Sequence, residues 1–343
     1  MQGVILTEPG VLAAADLPEP PPPGPGEARL AVHRVGLCGT DLHAFHGRQP
    51  FFSYPRILGH ELAVEVLDVG PGVTHVRPGD ICAVRPYLAC GTCDACGRGI
   101  TNACERLATL GVHTDGGMRE RIVLPAAVLH PANGLSLDAV MLVETLGIGA
   151  HAVRRADPVP GERALVVGGG PIGLGVATFL RARGVEPLLA DVVPERRAFA
   201  ETWGGLRTID PGADAPAAVR AAFGGELPTL VLDATGNSAS MHAAFGLAGH
   251  GGRIVFVGLF VGDVTFHDPD LHRRELTLLA SRNATAADVD TVIAHVRAGS
   301  VDATPWIAEH VPLSGLPDAL PRWAGARGSG LKGVVALGGE AGR

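Results

Sequence analysis

Four cysteines crowd into one short segment of this 343-residue chain and limit what it can fold into. Cys90, Cys93, Cys96 and Cys104 are spaced C-x2-C-x2-C-x7-C. Gaps of two residues let neighbouring thiolates turn toward one point, and the longer loop brings the fourth sulfur around to complete a tetrahedron. Proteins hold a structural zinc ion in this way. An iron–sulfur site is disfavoured because its common run ends C-x3-C-P, whereas Glu105 follows the last cysteine here.

The composition argues against two classes of partner. Lys plus Arg number 28 and Asp plus Glu number 35, so the net charge is −7, and no basic run stands out. Nucleic acid and anionic membranes are therefore disfavoured as partners. The first ten residues include Glu8 and no basic region, so we expect a strand rather than a signal peptide. We therefore expect a cytoplasmic protein, in which disulfides between the four cysteines are disfavoured.

The first half of the chain has the pattern of a β-rich domain. Apolar runs at 29–35, 62–69 and 81–84 are short and bounded by Gly, Pro and Asp, which is typical of strands in a barrel-like domain. The segment PEPPPPGPG at 18–26 favours a stiff surface connection between two strands, with a polyproline ligand as the alternative.

Two clusters in this half offer the ligands of a second metal site. Cys38 lies in CGTDLH at 38–43, and His60 and Glu61 lie in GHE at 59–61. Each cluster alone is weak, but a thiolate, an imidazole and a carboxylate are the ligand types of a catalytic zinc with one open position. Glu144 follows an apolar stretch, where a carboxylate is exposed or paired unless it faces a metal. The residues alone leave open whether this second site exists.

The second half carries a dinucleotide-binding pattern. The apolar run 164–167 continues into GGGPIG at 168–173, a G-x-G-x-x-G match, and a helical pattern follows at 174–180. The glycines permit a tight turn, close approach to a pyrophosphate and close helix packing, while the helix N-terminus supplies N–H groups and a positive dipole. The cofactor contacts predicted here are Gly168, Gly170, Pro171, Ile172 and Gly173.

An acidic residue after the next apolar run predicts the choice of cofactor. Asp191 lies 18 residues beyond Gly173, where its carboxylate would accept from the ribose 2′-hydroxyl and repel a 2′-phosphate. NAD is therefore favoured over NADP, although Arg196, a further predicted cofactor contact, and Arg197 weaken this preference. A turn or helix-capping role for Asp191 is the alternative. Apolar runs at 229–233, 252–258 and 276–280 continue the βα alternation, and the remaining cofactor contacts are predicted at Val257, Gly258, Leu259 and Ser281.

Nearly the whole chain resembles the zinc-containing medium-chain dehydrogenases, because CGTDLH, GHE, the four-cysteine segment and GGGPIG occur in that family's order. The resemblance implies an α/β Rossmann fold, with a doubly wound parallel sheet, plus a β-rich GroES-like catalytic domain. The catalytic domain is expected at 1–150, with the zinc lobe at about 88–106. The NAD-binding domain is expected at 151–285, and residues 286–343 should complete the catalytic domain.

The sequence departs from the simple alcohol dehydrogenases of this family at Glu144, where they place a second cysteine ligand. That exchange resembles the polyol and threonine dehydrogenase branch. It implies that Cys38, His60 and Glu61 bind the catalytic zinc and that Glu144 is a further ligand or a proton-relay partner. With the four-cysteine site, two zinc ions per chain are expected. Thr145 stands where the family often has proline, which changes little because the carboxylate is retained.

The resemblance also implies an activity. Zinc would activate a secondary alcohol of a polyol or sugar acid, hydride would pass to NAD, and Thr40 and His43 would lead the proton to solvent. The runs 143–155 and 281–285 look most like sugar-acid dehydrogenases of the L-galactonate or L-gulonate 5-dehydrogenase kind. The alternatives are an L-threonine 3-dehydrogenase, a sorbitol-type dehydrogenase, or a catalytically silent scaffold or regulatory protein. A homodimer or homotetramer is expected, and the predicted substrate contacts are Arg282, Arg119 and His113.

Overall fold

The computed structural model describes residues 1–50, 52–325 and 331–338. The chain divides into two compact units, Met1–Glu144 with Ala284–Arg343, and Thr145–Asn283. The predicted fold class, a parallel α/β sheet combined with a β-rich domain, is confirmed.

The first unit is rich in strands. Its strands are β1 (Gln2–Glu8), β2 (Val11–Asp16), β3 (Glu27–Gly36), β4 (Glu61–Val69), β5 (Ile81–Val84), β6 (Tyr87–Leu88), β7 (Ala108–Thr109), β8 (Arg121–Pro125), β9 (Leu129–Pro131), β16 (Ile307–Pro312) and β17 (Lys332–Ala336). Its helices are α1 (Gly39–Phe45), α2 (Asp94–Gly97), α9 (Ala286–Arg297) and α10 (Leu316–Gly325). A further helix, α3 (Leu137–Ala156), contains the division between the units.

The main sheet of this unit has the order β16-β17-β3-β4-β5-β9, with β8 also paired to β3. Along most of β3, alternate residues are buried, because successive side chains of a strand point to opposite faces. Leu30 and Leu62 are fully buried in the core on one face, together with Leu316 of α10. Each such leucine contributes about 1.5–3 kcal/mol by leaving water. The segment 18–26 connects β2 to β3, as predicted.

The ends of β3, β4 and β17 meet at one place in this sheet. Gly36, the last residue of β3, pairs with Glu61 at the start of β4 and with Val334 of β17. The chain therefore brings a segment near its C-terminal end beside the GHE motif. This meeting point positions the candidate site.

The second unit is a parallel α/β domain. Its strands are β10 (Ala164–Val167), β11 (Pro187–Ala190), β12 (Arg207–Ile209), β13 (Leu230–Asp233), β14 (Arg253–Phe256) and β15 (Thr277–Ala280). Its helices are α4 (Pro171–Ala182), α5 (Pro194–Gly204), α6 (Ala215–Ala222), α7 (Ser238–Leu247) and α8 (Asp268–Arg273).

The six strands of the second unit are all parallel, in the order β12-β11-β10-β13-β14-β15. By position in the chain this is 3-2-1-4-5-6, the doubly wound order of dinucleotide-binding domains. The order reverses between β10 and β13, so the turn after β10 lies at the switch point, where ligands bind in such sheets. β10 and β13 are almost wholly apolar because both faces of a parallel sheet are covered.

Within the described parts of the chain, no helix has the length and apolar character needed to cross a membrane.

Candidate active site and metal centres

A thiol, an imidazole and a carboxylate converge in the first unit. One ligand atom each from Cys38, His60 and Glu61 lies within 4.8 Å of the others. Cys38 is the half-buried N-cap residue of α1. His60 and Glu61 lie where the chain enters β4, and both are buried. The set therefore combines one ligand from a helix start with two from a strand start.

Asp41 holds these two segments together. One of its carboxylate oxygens accepts a hydrogen bond from the Cys38 backbone N–H at 2.9 Å, and the other accepts from the Gly59 backbone N–H at 3.3 Å. The same carboxylate lies 3.8 Å from Nδ1 of His60. Asp41 thus fixes the start of α1 at Cys38 and ties it to the backbone before His60. It also faces the ring nitrogen of His60 that would point away from a metal bound through Nε2.

Lys332 is a residue of this site that the sequence reasoning missed. Its buried ammonium donates to both carboxylate oxygens of Glu61, at 2.6 and 2.7 Å, and to the Leu37 carbonyl at 3.3 Å. Burial works against its charge, but the carboxylate of Glu61 and the Cys38 sulfur outweigh that effect and raise the pKa of Lys332. The available signal was compositional: Lys332 is the chain's single lysine, and it opens an apolar strand.

A glycine leaves room for this ion pair. A β-carbon on Gly36 would lie 2.2 Å from a Glu61 carboxylate oxygen and 2.4 Å from the Met141 sulfur. Side chains do not approach this closely, so any larger residue at position 36 would displace Glu61. The end of β3 therefore has to be glycine for the carboxylate to occupy its place.

Glu144 lies beside this set without belonging to it. It is buried on α3, and its Oε1 accepts a hydrogen bond from the hydroxyl of Tyr87, which is also buried. Burial raises the pKa of Glu144 and that of Tyr87. His60, Glu61 and Lys332 are close enough to influence the Glu144 carboxylate electrostatically. Tyr87 was not predicted as a site residue, because a tyrosine before a cysteine lobe carries no signal of its partner.

These residues fit a divalent metal. Among the residues that the structure describes, three buried carboxylates (Asp41, Glu61 and Glu144) and the Cys38 sulfur lie near two basic groups, His60 and Lys332. The pKa of His60 is raised well above its usual value: burial opposes the cation, but Asp41 and Cys38 outweigh that effect. The buried Nδ1 of His60 has no hydrogen-bond partner in the described structure. The site is thus arranged to stabilise positive charge, which zinc on the Cys38–His60–Glu61 set would supply.

The four cysteines form a second, separate cluster. Their sulfurs lie within 4.8 Å of one another, and the Cys93 and Cys104 sulfurs are 3.9 Å apart. Sulfurs about 2.3 Å from a tetrahedral zinc would be about 3.8 Å apart, whereas a disulfide needs about 2.05 Å. The Thr92 and Cys93 backbone N–H groups lower the pKa of Cys90 to about 5 against the effect of desolvation, and the Arg106 guanidinium lies 3.3 Å from its sulfur. The donor set fits a closed zinc site.

The two predicted relay residues lie on α1. Thr40 and His43 are three residues apart on this helix, which places them on one side of it. Thr40 is half-buried and His43 is exposed.

The glycine motif occupies the turn from β10 into α4. Gly168 has φ of +102°, a conformation that favours glycine, and a β-carbon on Gly173 would lie 1.8 Å from the Gly168 carbonyl oxygen. Gly170 is the N-cap of α4, Pro171 opens the helix, and Ile172 follows in its first turn. The helix N-terminus is left open to accept a phosphate group.

Asp191 follows β11 and is tied to the same turn. Its Oδ2 accepts from the Gly169 N–H at 2.6 Å and its Oδ1 from the Val193 N–H at 2.7 Å, so it also makes the turn contact that was the alternative expectation. A carboxylate has about four acceptor positions, so two remain for ribose hydroxyls. An Arg196 nitrogen lies 3.7 Å from Oδ2.

The other predicted cofactor residues follow the next two strands. Val257 and Gly258 come after β14, where a β-carbon on Gly258 would lie 2.2 Å from the Gly236 nitrogen. Leu259 is 75% exposed. Ser281 follows β15, and its buried hydroxyl has no hydrogen-bond partner among the described residues. These positions lie at the carboxyl ends of parallel strands, the cofactor side of such a sheet.

The predicted substrate residues are distributed over both units. Arg282 belongs to the second unit and follows β15. Arg119 and His113 belong to the first unit, in the segment after β7. The Arg119 guanidinium donates to the Asp115 carbonyl, and burial lowers its pKa. The exposed His113 accepts from the Thr109 N–H through Nδ1, so its neutral ring carries the proton on Nε2.

Two family models match the chain. Residues 24–134 match the alcohol dehydrogenase GroES-like domain, and residues 171–298 match the zinc-binding dehydrogenase model. These matches cover the candidate zinc ligands before Glu144 and most of the parallel sheet.

Curated and solved relatives extend over most of the chain. It is 44% identical to the L-galactonate-5-dehydrogenase of Escherichia coli K12 over 318 residues, which are 92% of this chain and 94% of that protein. A solved alcohol dehydrogenase from Escherichia coli CFT073 with NADH has a TM-score of 0.92 at 29% identity, covering 98% of this chain and 99% of that one. A solved structure from Sinorhizobium meliloti 1021 bound to NADP has a TM-score of 0.89 at 27% identity, covering 98% of both chains.

Removing the lysine should destabilise the first unit. In Lys332→Met the side chain keeps its length but Glu61 loses the ammonium, and breaking a buried pair in this way costs about 3–5 kcal/mol of unfolding free energy. Urea denaturation measures the loss. Lys332→Arg should also destabilise, because the larger guanidinium has to enter the space of a compact ammonium. Arg322→Met, which breaks the exposed pair with Glu309, is the control and should leave stability unchanged. A Lys332→Met variant as stable as the parent would contradict the role of the pair.

Proposed function

The chain belongs to the zinc-binding dehydrogenases that carry an alcohol dehydrogenase GroES-like domain, and we propose that it oxidises a secondary alcohol within a sugar acid. L-Galactonate or L-gulonate, oxidised at C5 with NAD as hydride acceptor, is the proposed substrate. The observation that carries the proposal is the Cys38–His60–Glu61 set, with the buried Glu144 beside it, in a chain 44% identical to an L-galactonate-5-dehydrogenase. The oxygen donors at this site distinguish it from the two-cysteine site of simple alcohol dehydrogenases.

The chain's own residues have distinct tasks in the proposed reaction. When bound, zinc supplies Lewis-acid activation of the substrate hydroxyl, and the nicotinamide accepts the hydride. Cys38, His60 and Glu61 would hold the metal, with Lys332 fixing the Glu61 carboxylate and Asp41 fixing the loop at Cys38. Thr40 and His43, half-buried and exposed on one side of α1, would lead the substrate proton to solvent. Histidine suits this task because its pKa lies near neutrality.

A substrate comparison tests the proposal. NAD reduction should be fastest with L-galactonate or L-gulonate, slower with neutral polyols of the same length, and negligible with ethanol.

Arg282 would bind the substrate carboxylate in this proposal. Arg282→Ala should therefore raise KM for the acid by roughly 10- to 100-fold, which corresponds to the loss of a charged hydrogen bond of about 1.5–3 kcal/mol. The neutral polyol should be almost unaffected.

The outcomes separate the parts of this proposal. Equal losses on acid and polyol would remove the carboxylate role of Arg282 while leaving the dehydrogenase function intact. Strong activity on L-threonine or ethanol, and none on a sugar acid, would assign the chain to another branch of the family. No activity on any alcohol, with zinc and NAD bound, would favour a silent scaffold or regulatory protein.

The proposed metal content is two zinc ions per chain. Cys38→Ser should retain one zinc and the fold but lose activity, because only the Cys38–His60–Glu61 site is altered. Cys93→Ser should instead lower the melting temperature, because a closed four-sulfur site contributes folding free energy. Metal analysis by mass spectrometry, with thermal melts, checks both variants. One zinc in the unaltered chain, or iron in the lobe, would contradict the proposal.

The proposed cofactor preference is NAD over NADP, caused by the Asp191 carboxylate. Asp191→Asn keeps an acceptor for the Gly169 or Val193 N–H but removes the charge that repels a 2′-phosphate. The ratio of kcat/KM for NAD to that for NADP should fall by about 10-fold, which corresponds to about 1.4 kcal/mol. If the unaltered chain uses both cofactors equally, Asp191 does not select between them.

We also propose that the chain forms a homodimer or homotetramer. β15 is the edge strand of the parallel sheet, and Leu278 on it is exposed, as are Leu259 and Val261 after β14. Edge strands pair readily with another chain, and burial of these exposed apolar side chains would favour such pairing. Light scattering on the purified protein decides between one, two and four copies.

A further inference from the structure

We propose that Tyr87 is a positioning residue that holds the Glu144 carboxylate beside the Cys38–His60–Glu61 set and outside its direct ligands. The inference rests on the proposed function, since it assigns a role within the same zinc site. Its geometric basis is the hydrogen bond from the Tyr87 hydroxyl to Oε1 of Glu144, with both side chains buried.

The electrostatics of the site explain why such a residue is needed. Glu144 is a buried carboxylate close to His60, Glu61 and Lys332. A buried carboxylate that loses a hydrogen-bond donor pays its full desolvation cost, so it moves toward the nearest cation. Beside a bound zinc that cation is the metal itself. The Tyr87 hydroxyl gives Oε1 a neutral partner instead, which keeps a position on the metal open for substrate.

Tyr87 is itself firmly anchored. It pairs with Thr109 in the short β6–β7 ladder, and the Arg85 guanidinium donates to its backbone carbonyl at 3.1 Å. This ladder forms the stem of the four-cysteine lobe, because Cys90 follows β6 and Cys104 precedes β7. Two paired residues per strand are too few to be stable alone. The closed lobe therefore keeps the stem in place, and the stem fixes the tyrosine.

The chain offers a matched control for a tyrosine substitution. Its sequence has two tyrosines, Tyr87 and Tyr54. Tyr54 also lies in the first unit and donates through its hydroxyl, but to the Ala44 carbonyl instead of a carboxylate. Tyr54→Phe therefore removes one hydroxyl donor without touching Glu144.

Zinc release provides the first measurement. With a chromogenic chelator the holoprotein should release zinc in two phases, and the phase missing from Cys38→Ser belongs to the Cys38–His60–Glu61 site. In Tyr87→Phe the freed Glu144 should occupy the open position on the metal, so this phase should slow by about 10-fold or more. For the same reason kcat should fall by about 10- to 100-fold with little change in KM. Tyr54→Phe should change neither quantity.

A double substitution tests whether Tyr87 acts through Glu144. In a Glu144→Gln background the neutral amide cannot replace the carboxylate on zinc, so adding Tyr87→Phe should leave the release rate unchanged. An effect of equal size in that background would mean that Tyr87 acts by another route and would overturn the inference. A faster release in Tyr87→Phe alone would also overturn it, because it would make Glu144 a direct ligand that Tyr87 supports.

The single lysine gives a second measurement that needs no substrate. Protein labelled with 15N in the lysine side chain should give one ammonium signal, from Lys332, which feels the charge of Glu144. That signal should shift in Tyr87→Phe and stay in place in Tyr54→Phe. If the zinc release slows and the ammonium signal shifts in Tyr87→Phe, but neither the unaltered protein nor any variant oxidises an alcohol, the proposed function is refuted and the inference on Tyr87 is retained. An unmoved signal and an unchanged release rate in Tyr87→Phe would refute the inference alone.

Discussion

The buried ion pair between Lys332 and Glu61 connects parts of the first unit that are far apart in the chain. The two residues are separated by 271 positions, yet the ammonium lies within 2.7 Å of both carboxylate oxygens. The pair fixes Glu61 where β4 begins and β17 beside the end of β3. The ligand set is therefore complete only after the C-terminal segment has returned to the first half of the chain. Such distant contacts are intrinsically slow to form, because the loop-closure entropy is lost before the contact can stabilise the fold.

The charge of the site has a further consequence for folding. A buried carboxylate is costly without a cation or hydrogen bonds, and the three buried carboxylates of Asp41, Glu61 and Glu144 outnumber the two basic side chains described beside them, Lys332 and His60. Metal binding at such a place stabilises the folded state, because the ligands are not assembled in the unfolded chain. The same reasoning applies to the four-cysteine lobe, whose stem has two paired residues per strand. Zinc bound at either place would therefore stabilise the fold.

The sequence predicted features that depend on local spacing. The strand β10, the turn at Gly168–Gly173 and the helix α4 follow from an apolar run, required glycines and a helical period. The cysteine cluster follows from loop lengths. Lys332 and Tyr87 could not be predicted in this way, because their partners lie 271 and 57 positions away and no local period encodes such a contact. The predicted substrate contacts, Arg282, Arg119 and His113, are harder still to derive, because their positions depend on loop conformation and not on any repeating pattern.

The two glutamates of the site differ most in the groups that donate hydrogen bonds to their carboxylates. Glu61, inside the Cys38–His60–Glu61 set, accepts hydrogen bonds from the charged ammonium of Lys332. Glu144, outside this set, accepts one from the neutral phenol of Tyr87. A cation behind a ligating carboxylate withdraws negative charge from it, so the carboxylate donates less to the metal and the metal stays more electrophilic. A phenol stabilises a carboxylate through a hydrogen bond but does not neutralise its negative charge, so the carboxylate can still attract a nearby proton. The compact ammonium of Lys332 donates to both Glu61 oxygens and to the Leu37 carbonyl, a point-charge contact that differs from the planar fork of a guanidinium and gives a physical reason for the one lysine in a chain that otherwise uses arginine.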